Sequence, residues 1–215
     1  MYKKVTDVAV KKIMDVKLGM MEDDEEYEEE SESIVKSEEV EDKVYIRVIG
    51  QINNETYESV SDVLLSLIIA KNESDIVILI DSNGGMLRPT FGIVNLLKSM
   101  NNKITTIAFN LCASAACIIF AAGEERYMLR GTEYMLHQLR SILEDTYKVS
   151  DLKELACNMD ELTARYKGHL LNGSSIDEDF LNTVLDNKED TILTEEQLVK
   201  FGIVTKIFDK FSEIL

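Results

Sequence analysis

Three short stretches of this 215-residue chain hold residue types that could do chemistry together. The first, Asp81-Ser82-Asn83-Gly84-Gly85, follows the apolar run 76–80. Paired glycines at the carboxyl end of a strand let the backbone turn sharply and present bare N–H groups to a ligand, although the same pair also suits an ordinary turn. The second runs from Asn110 to Cys117, between an apolar strand pattern at 104–109 and small apolar residues up to Ala122. Ser114 stands there at the start of an expected helix, where orphan N–H groups and the dipole favour negative charge on a nucleophile and an oxyanion. An N-cap serine contributing about 1 kcal/mol to that helix explains the residue equally well. The third stretch is Tyr134-Met135-Leu136-His137-Gln138, in which one of only two histidines ends an apolar strand. A general base beside a serine would account for it, because imidazole exchanges a proton near neutral pH. His169, between Gly168 and Leu170, reads as a helix-surface residue without a catalytic role.

The elements that must position these residues alternate. Strands are expected at 44–48, 76–80, 104–109 and 133–136, and helices at 56–69, 87–100 and 114–122, then from about 151 to 171. Uninterrupted apolar strands between helices imply an α/β fold with a parallel sheet covered on both faces. Asp151 with Glu154, Ser175 with Glu178 and Thr194 with Gln197 read as helix starts, and Gly202 as a stop.

Composition narrows the function classes. The net charge is −17, and residues 22–42 hold thirteen acidic side chains against one lysine, so this block should be disordered. Such acidity disfavours nucleic-acid partners, since phosphate contacts need clustered Lys or Arg. Residues 1–21 carry five lysines beside Val5, Val8, Ile13 and Val16, a basic amphipathic pattern. No apolar run approaches the ~20 residues of a membrane span, and no signal-peptide core follows Met1. Cys112, Cys117 and Cys157 match no zinc or disulfide spacing and read as reduced thiols, so a cytoplasmic location and no metal are expected.

Taken in order, these motifs resemble the proteolytic subunits of the ATP-dependent Clp protease. From Val48 to Gly123 the similarity needs no gap: Gly50-Gln51, Asp75-Ile76, Ser82 with Gly84-Gly85, Ala113-Ser114 and Ala121-Ala122-Gly123. Met135-Leu136-His137-Gln138 matches the family's histidine motif. Asp190-Thr191-Ile192-Leu193-Thr194-Glu195-Glu196 and Phe201-Gly202-Ile203-Val204 match its closing segment, so the likeness covers 44–208.

The resemblance implies a Clp/crotonase-like fold with a handle helix over about 139–171 inside a peptidase domain spanning 43–215. It implies a serine endopeptidase with Ser114 as nucleophile, His137 as acid and base, Asp190 as the group that orients it, and an oxyanion hole from the N–H groups of Gly85 and Ala115. On its own Asp190 is a loop carboxylate like Asp186 and Glu189, and Asp186 is the alternative to it. It further implies polypeptide substrates, a homo-oligomer of heptameric rings stacked as a tetradecamer, an AAA+ unfoldase partner that consumes the ATP, and no cofactor in this subunit. A phage capsid or scaffold maturation protease, a silent ring subunit and a crotonase-like acyl-CoA enzyme are the other readings.

Departures from the pattern are local. Asn83 replaces a proline, Ala115 a methionine, and Val77 and Leu79 stand where the family carries tyrosines that receive the ATPase. Leu139-Arg140-Ser141-Ile142-Leu143-Glu144-Asp145 replaces a proline and a glycine-rich strand.

Overall fold

Apolar runs of β-branched residues become the buried strands expected of them in the computed structural model, which describes residues 37–40, 42–141 and 146–214. The basic segment 1–21 and the acidic residues 22–36 lie outside the described residues. Strands β1 (Ser37–Val40), β2 (Lys43–Ile52), β3 (Asp75–Gly85), β4 (Ile104–Ala113), β5 (Glu125–Leu129) and β8 (Lys206–Phe208) follow one another across the sheet in that order. Every neighbour pair from β2 to β8 is parallel, and β1 pairs antiparallel with β2. Two more strands branch from the end of β4: β6 (Glu133–Leu136) runs parallel to it, and β7 (Thr191–Leu193) antiparallel to β6.

The fold is therefore α/β with a parallel centre, and the two antiparallel pairs sit at its margins. Residues 37–40, read as the end of a disordered block, belong to the sheet. Asp42 adopts φ 62°, and the chain folds back to pair Ser37 with Ile46 and Val40 with Lys43. Ladder hydrogen bonds use only backbone groups, so an acidic sequence does not prevent them.

Helices α1 (Asn54–Ala70), α2 (Leu87–Ser99), α3 (Ala116–Phe120), α4 (Val149–Asn172), α5 (Glu178–Asp186) and α6 (Glu195–Lys200) supply the rest. Val60, Leu64, Phe91 and Phe120 from these helices pack against Ile46, Ile78 and Ile80 in one large core. The opposite face of the sheet holds a smaller cluster, Val77, Ile107 and Phe208, covered by Phe211 and Ile214 near the C-terminus. Helices on both faces were expected; the second face instead carries half-buried Tyr45, Leu79, Tyr127 and Leu129.

Helix ends refine the reading further. Thr194 and Gln197 form the expected reciprocal cap. Asp177, not Ser175, caps α5 by accepting from the Phe180 N–H at 2.9 Å, while the Ser175 N–H is engaged by the Phe201 carbonyl. α4 begins two residues early, and the Asp151 carboxylate accepts from the Lys148 N–H inside its first turn. Among the described residues no helix is long and apolar enough to cross a membrane, and no His, Cys, Asp and Glu group could hold a metal.

Arg126 ties the C-terminal segment to β5. Its guanidinium donates to the carbonyls of Ile203, Gly123 and Gly202 at 2.8, 2.8 and 3.0 Å, in a half-buried position that lowers its pKa by desolvation. Arg126→Met keeps the aliphatic stem and strands these acceptors, and should cost about 2–3 kcal/mol in urea unfolding. An unchanged midpoint would mean that water serves the carbonyls equally well.

Candidate active site

Ser114 does not begin the helix that follows it. Its φ of 54° lies in the left-handed region that residues other than glycine rarely occupy. α3 starts only at Ala116, with no side-chain cap bond, so the N-cap reading of Ser114 is set aside and the helix expected over 114–122 shortens to five residues. A backbone held in this way costs about 1–3 kcal/mol and persists only where its surroundings fix it.

Three hydrogen bonds provide that hold. The Ser114 N–H donates to the Met135 carbonyl at 2.9 Å, and the Ser114 carbonyl accepts from the Cys117 N–H and the Tyr166 hydroxyl, both at 3.0 Å. With its backbone groups engaged, the side chain is left to the cleft. Tyr166 comes from the inner side of α4 and is buried. Burial, with Cys117 and Cys112 beside it, pushes its pKa well above the ordinary value, so the phenol keeps the proton it donates. Cys112 and Cys117 are themselves free and buried, and desolvation raises the Cys112 thiol, so it is a poor nucleophile.

The glycine pair lies against the serine. The Ser82 hydroxyl donates to the Gly50 carbonyl at 2.6 Å and accepts from the Gly84 N–H at 3.0 Å, fixing the turn from within. Gly84 has φ +86°, and a Cβ there would fall 2.6 Å from the Ala113 carbonyl oxygen and 2.8 Å from the Ala115 nitrogen. A Cβ on Gly85, at φ +149°, would fall 2.2 Å from the Ile52 carbonyl oxygen. Both glycines are thus demanded by close backbone approach, Gly84 to the loop that carries Ser114 and Gly85 to β2.

Strand register brings the remaining residues together. Met135 pairs with Ala113 across β4 and β6, and Leu136 with Thr191 across β6 and β7. One step beyond those pairs stand Ser114, His137 and Asp190, at the ends of three adjacent strands. Asp186 ends α5 and Glu189 precedes Asp190, and neither has this register position.

The side chains are not joined in sequence. Among the described residues, no hydrogen bond links Ser114 Oγ to His137, or His137 to Asp190. His137 Nδ1 instead faces the Gln138 carbonyl at 2.5 Å, an acceptor that takes a proton on Nδ1. The Asp190 carboxylate is engaged by the Arg140 guanidinium. Ser114, His137, Gly85 and Arg140 line one cleft of about 730 Å³, with Gln51, Met86, Arg88, Met159 and Leu162. Ala115 is buried behind Ser114. His169 is remote in role, stacked on Phe91 at 5.3 Å, where burial and then Lys98 and Arg165 lower its pKa.

Sequence reasoning missed Tyr166, which reads only as an apolar helix position, and the Arg140–Asp190 contact, which spans fifty residues. Ser82 carried a signal, since a hydroxyl two residues before a tight glycine turn can bond its backbone.

A family model described as Clp protease matches residues 28–211, most of the chain. The chain belongs to the Clp protease family. It is similar to the ATP-dependent Clp protease proteolytic subunit of Ligilactobacillus salivarius, 26% identical over 172 residues that cover 79% of this chain and 85% of that one. Proteolytic subunit 2 of Treponema denticola is 26% identical over 79% of this chain and 84% of its own, and proteolytic subunit 1 of Corynebacterium diphtheriae 25% over 70% and 73%. Clp proteases are serine peptidases, so peptide-bond hydrolysis is the activity of this family member.

Tyr166→Phe deletes one donor and preserves the ring. It should lower stability by about 1–2 kcal/mol in chemical denaturation and slow modification of Ser114, because the Ser114 carbonyl loses a buried partner. Unaltered stability and reactivity would show that the Met135 and Cys117 bonds suffice.

Proposed function

We propose that this chain is the proteolytic subunit of a Clp-type compartmentalised protease, cleaving unfolded polypeptides through an acyl-enzyme on Ser114. The observation that carries this reading is the left-handed backbone at Ser114, fixed by three hydrogen bonds beside a glycine pair and across from a histidine. Structural serines do not need such a hold.

In the proposed reaction His137 Nε2 takes the Oγ proton as Ser114 attacks the scissile carbonyl carbon, and returns it to the departing amine. Water then hydrolyses the ester by the same path in reverse. Asp190 swings from Arg140 to His137 Nδ1, replacing a neutral carbonyl by a carboxylate that stabilises the imidazolium. Support for Asp190 over Asp186 comes from its register position across from His137. The N–H groups of Gly85 and Ala115 receive the oxyanion, each such donor typically contributing about 3 kcal/mol to the transition state. No step calls for a cofactor in this subunit.

The assembly we propose is a homo-oligomer of heptameric rings stacked as a tetradecamer, working in the cytoplasm with an AAA+ unfoldase that consumes the ATP. Supporting it are apolar side chains that a subunit interface would cover: Ile69 on α1 is 80% exposed and Val149 on α4 70%. Half-buried Leu79 in place of a tyrosine alters the surface an ATPase would meet, whereas Val77 is buried in the smaller core cluster.

A fluorophosphonate probe tests the site. Wild type should be modified at Ser114, Ser114→Ala and His137→Ala should take up none, and Asp190→Asn should turn over peptides roughly 10⁴-fold more slowly. Modification that persists in Ser114→Ala, or full activity in Asp190→Asn, would refute the assignment.

A further inference from the structure

The cleft around Ser114 is charged opposite to the chain that builds it. The protein carries a net charge of −17, yet among the described residues no Asp or Glu lines this cleft, whereas Arg88 and Arg140 both do. Neither arginine is explained by stability. Arg88 lies in the first turn of α2, which holds no acidic residue, so its charge opposes the helix dipole. Among the described residues it has no ion-pair partner. Among the described residues Arg140 has Asp190 as its ion-pair partner, and the two side chains are 64% and 41% exposed. Exposed pairs are among the weakest in proteins, so a second carboxylate entering the cleft competes with Asp190 on nearly equal terms. Arginine is suited to that exchange, because its fork binds any carboxylate in the same geometry.

We propose that Arg88 and Arg140 select polypeptides with a Glu or Asp side chain close to the scissile bond, and that this carboxylate takes Arg140 from Asp190. Asp190 is then free to turn to His137. The inference rests on the serine-peptidase reading above and adds to it a substrate class and a positioning residue. Before substrate arrives, Arg140 holds Asp190 away and His137 rests on the Gln138 carbonyl. An acidic substrate relieves the first contact at the moment it occupies the cleft, so binding and assembly of the relay become one event. Neutral substrates must break the Arg140–Asp190 pair without compensation. Met86, Met159 and Leu162, with the neutral polar Gln51, Asn83 and Ser141, make up much of the remaining described lining, so the charge is read against a background without other ionic groups of either arginine's kind.

Matched fluorogenic peptides with blocked ends test this, each pair differing by Glu or Gln at one position within three residues of the cleaved bond. The assembled wild-type protein should prefer Glu by about fivefold in kcat/KM at one of these positions, with the preference fading as salt is raised. Arg140→Gln should abolish the preference and raise kcat on the Gln peptides, since Asp190 is no longer held. Arg140→Lys should retain part of the preference, and Arg88→Gln should weaken it through KM. Undiminished selection of Glu in Arg140→Gln overturns the proposal, as does an equal loss of rate on both peptides. Fluorophosphonate modification of Ser114 without any Glu preference in wild type overturns the selection alone. Absence of modification overturns the peptidase reading and the proposal with it.

Discussion

Four residues, Glu133–Leu136, hold the site together. Strand β6 pairs in parallel with the end of β4 on one side and antiparallel with β7 on the other. Because register fixes which residues stand opposite, those two ladders bring Ser114, one step past the Ala113–Met135 pair, to the same end of the strands as His137 and Asp190, from three distant parts of the chain. The same strand supplies the Met135 carbonyl that receives the Ser114 N–H. Ser114 and His137 are thus coupled through backbone two residues from His137, and any shift of β6 would move both. Burial of Tyr134 and Leu136, with Phe120 edge-on to Tyr134 at 6.0 Å, anchors the strand against such a shift.

Strain at Ser114 has a counterweight in the layer beneath it. α3 is apolar and buried, and the Tyr166 hydroxyl crosses from α4 to donate to the Ser114 carbonyl. The long helix therefore does more than extend from the domain: its inner face, through Tyr166 and Leu170, belongs to the core under the site. Whatever α4 packs against in an assembly is mechanically connected to the serine by one side chain.

Much of this was legible in the sequence, and the exceptions share a physical cause. Apolar, β-branched residues gave β2, β3 and β4 because their inward side chains fill the main core while the other face is half-buried, and Gly84-Gly85 marked a turn that only glycine fits. The short strands β5, β7 and β8 were not foreseen, since three to five residues carry no periodicity to read. β1 was missed because ladder bonds are indifferent to charge, and Ser114 was assigned to a helix because propensity is blind to a left-handed residue imposed by tertiary hydrogen bonds. Tyr166 and Arg140 act across fifty residues or so, beyond the reach of local pattern.

The energetics divide the site into a rigid part and a soft part. Backbone ladders, buried glycine contacts and the Ser114 hydrogen bonds are long-range, buried and cooperative, so the frame is costly to deform. The contacts that keep the relay unjoined are of the other kind: a carbonyl on the next residue for His137 and an exposed guanidinium for Asp190. Each is worth little in water, and exchanging them requires only rotations about side-chain bonds. A frame of this stiffness carrying side chains of this freedom separates being folded from being active. The first is decided by the core, and the second by whichever charged group reaches Arg140.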